Sequence, residues 1–244
     1  MRKFGLIGFP LTHSFSKQYF AQKFQEEQIA DAVYELFPLS DISELPGLLA
    51  QNPGLQGLNV TIPHKQTVIP YLTEVEEKAA KIGAVNVIRI SEGKLKGFNT
   101  DYIGFRESLL QFLPENSRMK ALVLGNGGAA QAVKAALEEL QIPFRTVSRK
   151  ANSGDLTYAE VTPEIIATHH LIINTTPLGT FPEVETCPEI PYRFLTPQHF
   201  LYDLVYNPEE TLFLKNARAQ GAKTQNGYQM LVLQAEAAWQ IWNC

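Results

Sequence analysis

Two hydrophobic rhythms run through this chain and take turns. The stretch "KFGLIGF" (3–9) is short and almost wholly apolar, which predicts a buried strand. "SKQYFAQKFQEEQI" (16–29) places Tyr19, Phe20, Phe24 and Ile29 close to helical spacing. "AVYELFPL" (32–39) and "GLNVTI" (57–62) read as strands, and "EVEEKAAKIG" (74–83) as a helix closed by Gly83. "AVNVIRI" and "KLKGFN" flank Ser91-Glu92-Gly93, a hairpin signal. "DYIGFRESLLQFL" (101–113) is helical.

The polar, proline-led stretch "PENSRMK" (114–120) is the strongest break by composition. After it the pattern restarts with "KALVLG" as strand, "AAQAVKAALEELQ" as helix and "FRTVSRK", "HLIINTT" and "FLYDLVYN" as strands. "EETLFLKNARAQG" then reads as helix. That alternation predicts an α/β fold whose parallel sheet is covered by helices on both faces. The last stretch, 227–242, is a largely apolar helix that must pack on something.

Composition narrows the partners. Of 244 residues, 45% are hydrophobic and 19% charged, as in a globular protein with a substantial core. Net charge is −4 with no long basic run, which argues against nucleic acid or an anionic membrane as partner. The two cysteines, Cys187 and Cys244, are far apart and lack metal-ligand spacing, so no metal is expected. A reducing, cytoplasmic setting is the simplest expectation, and no apolar run is long enough to span a membrane.

The sharpest local chemistry is "ALVLGNGGAAQAV", where a strand runs into Gly125-Asn126-Gly127-Gly128-Ala129-Ala130 and a helix follows. Gly125, Gly127 and Ala130 fit G-x-G-x-x-G/A, the fingerprint of a doubly wound, Rossmann-type dinucleotide site. The first glycine makes the tight turn, the second lets backbone approach a pyrophosphate, and the helix start faces the anion. An NAD site usually ends its second strand in Asp or Glu, to hold the ribose hydroxyls. Here that place reads Ser148-Arg149-Lys150. Arg149 has the planar fork of donors that suits a 2′-phosphate, so NADP is the expected cofactor.

The N-terminal half offers Ser14 and Ser16 at a helix start, then Asn59, Thr61 and Lys65 in "NVTIPHK", Asn86 in "GAVNV", and Asn99 and Asp101 in "NTD". Each has a plain structural reading: Ser16 and Asp101 as helix caps, Lys65 as a solvated charge. His64 is set aside as a bystander.

Together these residues say more. Gly8-x-Pro10-x-x-His13-Ser14-x-Ser16, Asn59-Val-Thr61-x-Pro63-x-Lys65, Gly83-Ala84-x-Asn86 and Asn99-Thr100-Asp101-x-x-Gly104 occur in order before the dinucleotide motif. Later come "INTTPLG", "DLVYNPEETLFL" and "GYQMLVLQA". The chain resembles the shikimate dehydrogenases over nearly its whole length. The resemblance implies two α/β domains with the active site in a cleft between them. Residues 1–101 and 226–244 would bind substrate and 102–225 would bind NADP. It implies NADPH-dependent reversible reduction of 3-dehydroshikimate to shikimate, a step toward chorismate and the aromatic amino acids. Lys65 and Asp101 would be the catalytic pair. Ser14 and Ser16 would hold the substrate carboxylate with Tyr206 beside it, and Thr61, Asn86 and Gln234 would bind the ring hydroxyls. Gly125, Gly127, Gly128, Ala129, Ser148, Arg149, Lys150, Thr175, Val205, Gly227 and Met230 would line the cofactor site. Val87 and Thr180 stand where threonine and methionine are common in the family. The expected partner is the small-molecule substrate, for a monomer or homodimer. Two alternatives stay open: a quinate/shikimate dehydrogenase using NAD or NADP, and a non-catalytic NADP-binding protein of the same fold.

Overall fold

The computed structural model describes residues 1–11, 14–150 and 153–244. His13, in the first motif above, lies outside them. The chain divides into two compact units, Met1–Thr100 with Ala235–Cys244, and Asp101–Gln234.

The first unit holds a six-stranded mixed sheet built from β1 (Arg2–Gly8), β2 (Ala32–Pro38), β3 (Leu55–Val60), β4 (Glu74–Val75), β5 (Val87–Ser91) and β6 (Lys94–Phe98). Their order is β2-β1-β3-β5-β6-β4. β1, β2 and β3 run parallel, while β5 lies antiparallel to both β3 and β6. Side chains alternate between two cores, as a strand's period of two requires. Phe4, Leu6 and Val87 point to one, with Phe20 and Phe24 of α1 (Phe15–Glu26). Ile7, Leu58, Val60 and Ile88 point to the other, with Leu45 of α2 (Leu45–Gln51) and Ala79 of α4 (Glu77–Ile82). A one-turn helix, α3 (His64–Thr67), follows β3. The predicted 74–83 helix splits, because Glu74–Val75 pairs beside β6 and the helix starts only after it. It ends as predicted at Gly83, whose φ of 73° is the left-handed conformation glycine accepts most readily.

The second unit holds β7 (Ala121–Leu124), β8 (Phe144–Ser148), β9 (Leu156–Thr157), β10 (Leu171–Asn174), β11 (Phe200–Asp203) and β12 (Lys223–Gln225). They form one parallel sheet in the order β12-β11-β10-β7-β8-β9, the doubly wound order with its reversal between β7 and β10. Both faces are buried, which explains why the strands read as continuous apolar runs. Val123, Ile173 and Tyr202 face a core shared with α5 (Asp101–Phe112) and α6 (Gly128–Glu139). Leu122, Ile172 and Leu201 face the other, which takes Ile166 of α7 (Pro163–Thr168) and Phe213 of α8 (Leu212–Arg218).

The polar stretch 114–120 is a loop inside the second unit, because Phe105 and Leu109 of α5 are fully buried in that unit's core. The division near the C-terminus falls at 235 rather than 226, part-way along α9 (Tyr228–Trp242). Early α9 belongs with α5: a Cβ on Gly104 would stand 2.5 Å from Met230 O and 2.9 Å from Gln234 N. Late α9 belongs to the first unit, where the Trp242 indole N–H donates to Ile88 O at 3.0 Å and the ring stacks on Phe4. No helix among the described residues is long and apolar enough to cross a membrane.

Candidate active site

In the second unit the chain leaves β7 through Gly125, whose φ is 104°. A Cβ there would stand 2.8 Å from Thr175 Oγ1 and 2.9 Å from Thr176 Cγ2, so the turn is closed to any larger residue. Among the described residues, a Cβ on Gly127 or Gly128 would meet nothing within 4 Å. Gly127 is the N-cap of α6, and no side chain caps that helix. A cavity of about 790 Å³ opens here, at the strand ends where the sheet order reverses. Gly125, Gly127, Ser148, Arg149, Lys150 and Thr175 all line it. Bare glycine backbone, a helix start and exposed cations beside one cavity fit a phosphate-bearing dinucleotide.

Several of the predicted cofactor residues shape this wall through bonds of their own. Ser148 is buried, accepts from Lys150 N at 3.1 Å and bonds to the Ser153 hydroxyl, while Arg149 is exposed. Thr175 donates to Leu124 O at 2.7 Å, tying the end of β10 to β7. Gly128, Ala129, Val205, Gly227 and Met230 are not among the residues that line this cavity; Gly227 donates to Val205 O at 3.1 Å, and a Cβ on it would lie 2.1 Å from Leu204 O. Met230 is half-buried, and Ala129 is exposed in the first turn of α6. Tyr158, absent from the sequence reading, also lines the cavity. Its hydroxyl is buried with no hydrogen-bond partner among the described residues, and burial raises its pKa while Arg149 pulls it back.

The first unit holds five of the other predicted residues: Ser14, Ser16, Thr61, Lys65 and Asn86. Ser14 is the N-cap of α1, accepting from Lys17 N at 3.3 Å. Ser16 therefore lies within the helix, and the capping role considered for it falls to Ser14. Tyr34 of β2 donates to Asn59 Oδ1 at 2.7 Å, and Asn59 Nδ2 donates to Asn86 O at 3.5 Å. Burial holds the Tyr34 phenol far above its ordinary range, with the nearby Ser16 hydroxyl pulling it back. Asn86 in turn donates to Thr100 Oγ1 at 3.1 Å and accepts from Thr100 N at 2.6 Å. A polar row thus runs Tyr34, Asn59, Asn86, Thr100, with Ser16 near its Tyr34 end.

Thr61 continues β3, its N–H donating to Ile7 O at 2.9 Å. The Ile62–Pro63 peptide is cis, and α3 begins directly after it. His64 turns inward and donates from Nε2 to Leu39 O at 2.8 Å. Its neighbour Lys65 accepts from Val85 N at 2.7 Å through its backbone carbonyl, which sets it one residue from the Asn86 segment. His64 is an anchor for α3, and Lys65 is partly exposed beside the polar row.

Three predicted residues lie in the second unit. Asp101 is the first residue of α5, directly after Thr100. Tyr206 is 38% exposed and Gln234 is buried, its amide donating to Leu231 O at 2.9 Å. The sequence reading missed Tyr34 and gave no role to Asn59 or Asn174. A tyrosine in the strand 32–38 was the only signal for Tyr34.

Residues 6–88 match the family model described as the shikimate dehydrogenase substrate binding domain. The shikimate dehydrogenase (NADP(+)) of Desulforamulus reducens is 38% identical to this chain, over 98% of the chain and 88% of the relative. This chain belongs to the shikimate dehydrogenase family. A second family member, from Caldanaerobacter subterraneus subsp. tengcongensis, is 39% identical over 98% of this chain and 90% of its own length. Among solved structures, the shikimate 5-dehydrogenase of Thermus thermophilus in complex with NADP(H) and shikimate superposes with a TM-score of 0.87. It is 33% identical, over 99% of this chain and 93% of that one. The family's two-domain α/β architecture is therefore the architecture of this protein.

Proposed function

We propose that this protein catalyses the reversible reduction of 3-dehydroshikimate to shikimate with NADPH. The observation that carries the reading is the polar row of the first unit, with Thr61 and Lys65 beside it, in a chain whose second unit offers a dinucleotide cavity faced by Arg149. NADPH supplies the hydride that reaches the ring carbonyl carbon. The carbonyl oxygen then needs a proton, and a cationic lysine suits both needs: it stabilises developing negative charge and donates the proton. Lys65 takes that role, and Asp101 is its partner in the proton transfer. Ser14 and Ser16, with Tyr206, hold the substrate carboxylate. Thr61, Asn86 and Gln234 bind the ring hydroxyls.

On the cofactor side, Gly125, Gly127, Gly128 and Ala129 cradle the pyrophosphate. Ser148, Arg149 and Lys150 take the 2′-phosphate, and Thr175, Val205, Gly227 and Met230 stand toward the nicotinamide end. The first unit serves as the substrate domain and the second as the NADP domain. The protein works in the cytoplasm as a monomer or homodimer.

The test is NADPH formation from shikimate and NADP, run beside NAD and beside quinate. Turnover with shikimate and NADP, weak in the other pairings, supports substrate and cofactor together. Turnover mainly with quinate and NAD overturns the reading of Arg149. Cofactor binding without turnover of either polyol overturns the catalytic reading.

A further inference from the structure

Tyr34 is 6% exposed and sits among aromatic neighbours, with Phe20 stacked on it at a centroid distance of 4.6 Å. A phenylalanine would fill the same space, so packing does not account for the hydroxyl. Its hydrogen-bond partner, Asn59, belongs to the polar row.

The donors fix the direction of these bonds. A phenol has one hydrogen, and an amide has a donor end and an acceptor end. Asn59 turns its nitrogen to the Asn86 carbonyl, so its oxygen must accept, and Tyr34 spends its hydrogen there. The Tyr34 hydrogen is therefore committed to Asn59.

We propose that Tyr34 is a positioning residue, which locks the Asn59 carboxamide beside Asn86 so that it presents a fixed donor to a ring hydroxyl. Without the phenol, the buried amide oxygen loses its donor and the carboxamide is released to turn. The inference rests on the proposed reaction.

The experiment is a double-mutant cycle on shikimate turnover, using Tyr34→Phe, Asn59→Leu and the pair. Tyr34→Phe is expected to raise KM for shikimate about tenfold, the scale of one hydrogen bond lost at a buried amide. kcat should stay within about threefold and KM for NADP should hold, a split that general loosening of the fold would not produce. In the Asn59→Leu background the same change should move KM less than about twofold. Replacing the substrate carboxylate by a primary alcohol should leave the tenfold penalty in place, because the effect runs through Asn59 rather than Ser16. A KM unchanged in Tyr34→Phe while its melting temperature falls overturns the proposal, as does full additivity with Asn59→Leu. If Tyr34→Phe does not fold, a wild-type KM in Asn59→Leu alone overturns it. An inactive wild-type protein instead removes the proposed reaction itself.

Discussion

Asn174 and Asp203 stand opposite each other at the ends of adjacent parallel strands, both fully buried, and Asn174 Nδ2 donates to Asp203 Oδ1 at 2.9 Å. Asp203 also accepts from Val205 N at 3.0 Å and from the Thr211 hydroxyl at 2.5 Å. Asn174 accepts from Thr176 N at 3.0 Å. The pair therefore holds the two chain segments that leave β10 and β11, one of which lines the cavity beside Gly125.

Burial outweighs these three donors and pushes the Asp203 carboxyl up to about 6. In the folded protein it binds a proton that the unfolded chain has already lost, across the range from about 4 to 6. Its contribution to stability is thus full below pH 4 and is lost as pH rises through 6. The size is about 3 kcal/mol, at about 1.4 kcal/mol per unit. Asp203→Asn keeps the acceptor for Asn174 and removes the titration. Urea midpoints should show the variant gaining on wild type by about 3 kcal/mol between pH 4 and pH 7. A constant difference across that range would contradict the assignment.

Lys65→Ala should lower kcat by about two orders of magnitude or more, the usual scale for a lost general acid. KM should change much less, because other residues hold the substrate. Steady-state kinetics with shikimate and NADP checks this, and near-normal turnover refutes the role.

Arg149→Ala should raise KM for NADP by about 10- to 100-fold, corresponding to about 1.5–3 kcal/mol for hydrogen bonds to a charged group. KM for NAD should barely move, since that cofactor has no 2′-phosphate to lose. Equal effects on both cofactors would place the arginine elsewhere on the dinucleotide.

Trp242→Ala should cost about 3–5 kcal/mol, as for a large aromatic removed from a core. Its indole lies over Gly57, where a Cβ would stand 2.3 Å from two ring atoms. Gly57→Ala should therefore destabilise the wild type and lose most of that cost in the Trp242→Ala background. Chemical denaturation of the four proteins measures the coupling.

How much of this was legible beforehand depended on whether the signal was local. The strands of the second sheet were plain because both faces are buried and the sequence shows it as apolar runs. The turn at 125–130 was plain because its glycines answer to steric demands within a few residues. Helix 101–112 was legible as a helix, but its apolar face says that Phe105 and Leu109 are buried, not against which sheet. The loop 114–120 has the composition of a linker because loops and linkers share that composition. Helix starts drift by a residue or two in any such reading, which is why Ser14 rather than Ser16 proved to be the cap. Tyr34 and Asp203 were hidden for another reason. Their partners come from other strands, and only the sheet order brings Asn59 within reach of Tyr34, 25 residues earlier.

The first unit is built from two separated pieces of chain, 1–100 and 235–244, with all of 101–234 between them. A ribosome makes these pieces in order. When the first hundred residues emerge, the seat over Gly57 and Phe4 still lacks its indole. The intervening unit has its whole sequence available before Trp242 is made. Synthesis therefore favours the middle of the chain as the first part to reach its native core, while the beginning waits, partly assembled, for the end. Aromatic surface on β1 and α1 stays uncovered during that wait, the interval in which a nascent chain is most open to chaperones and to aggregation.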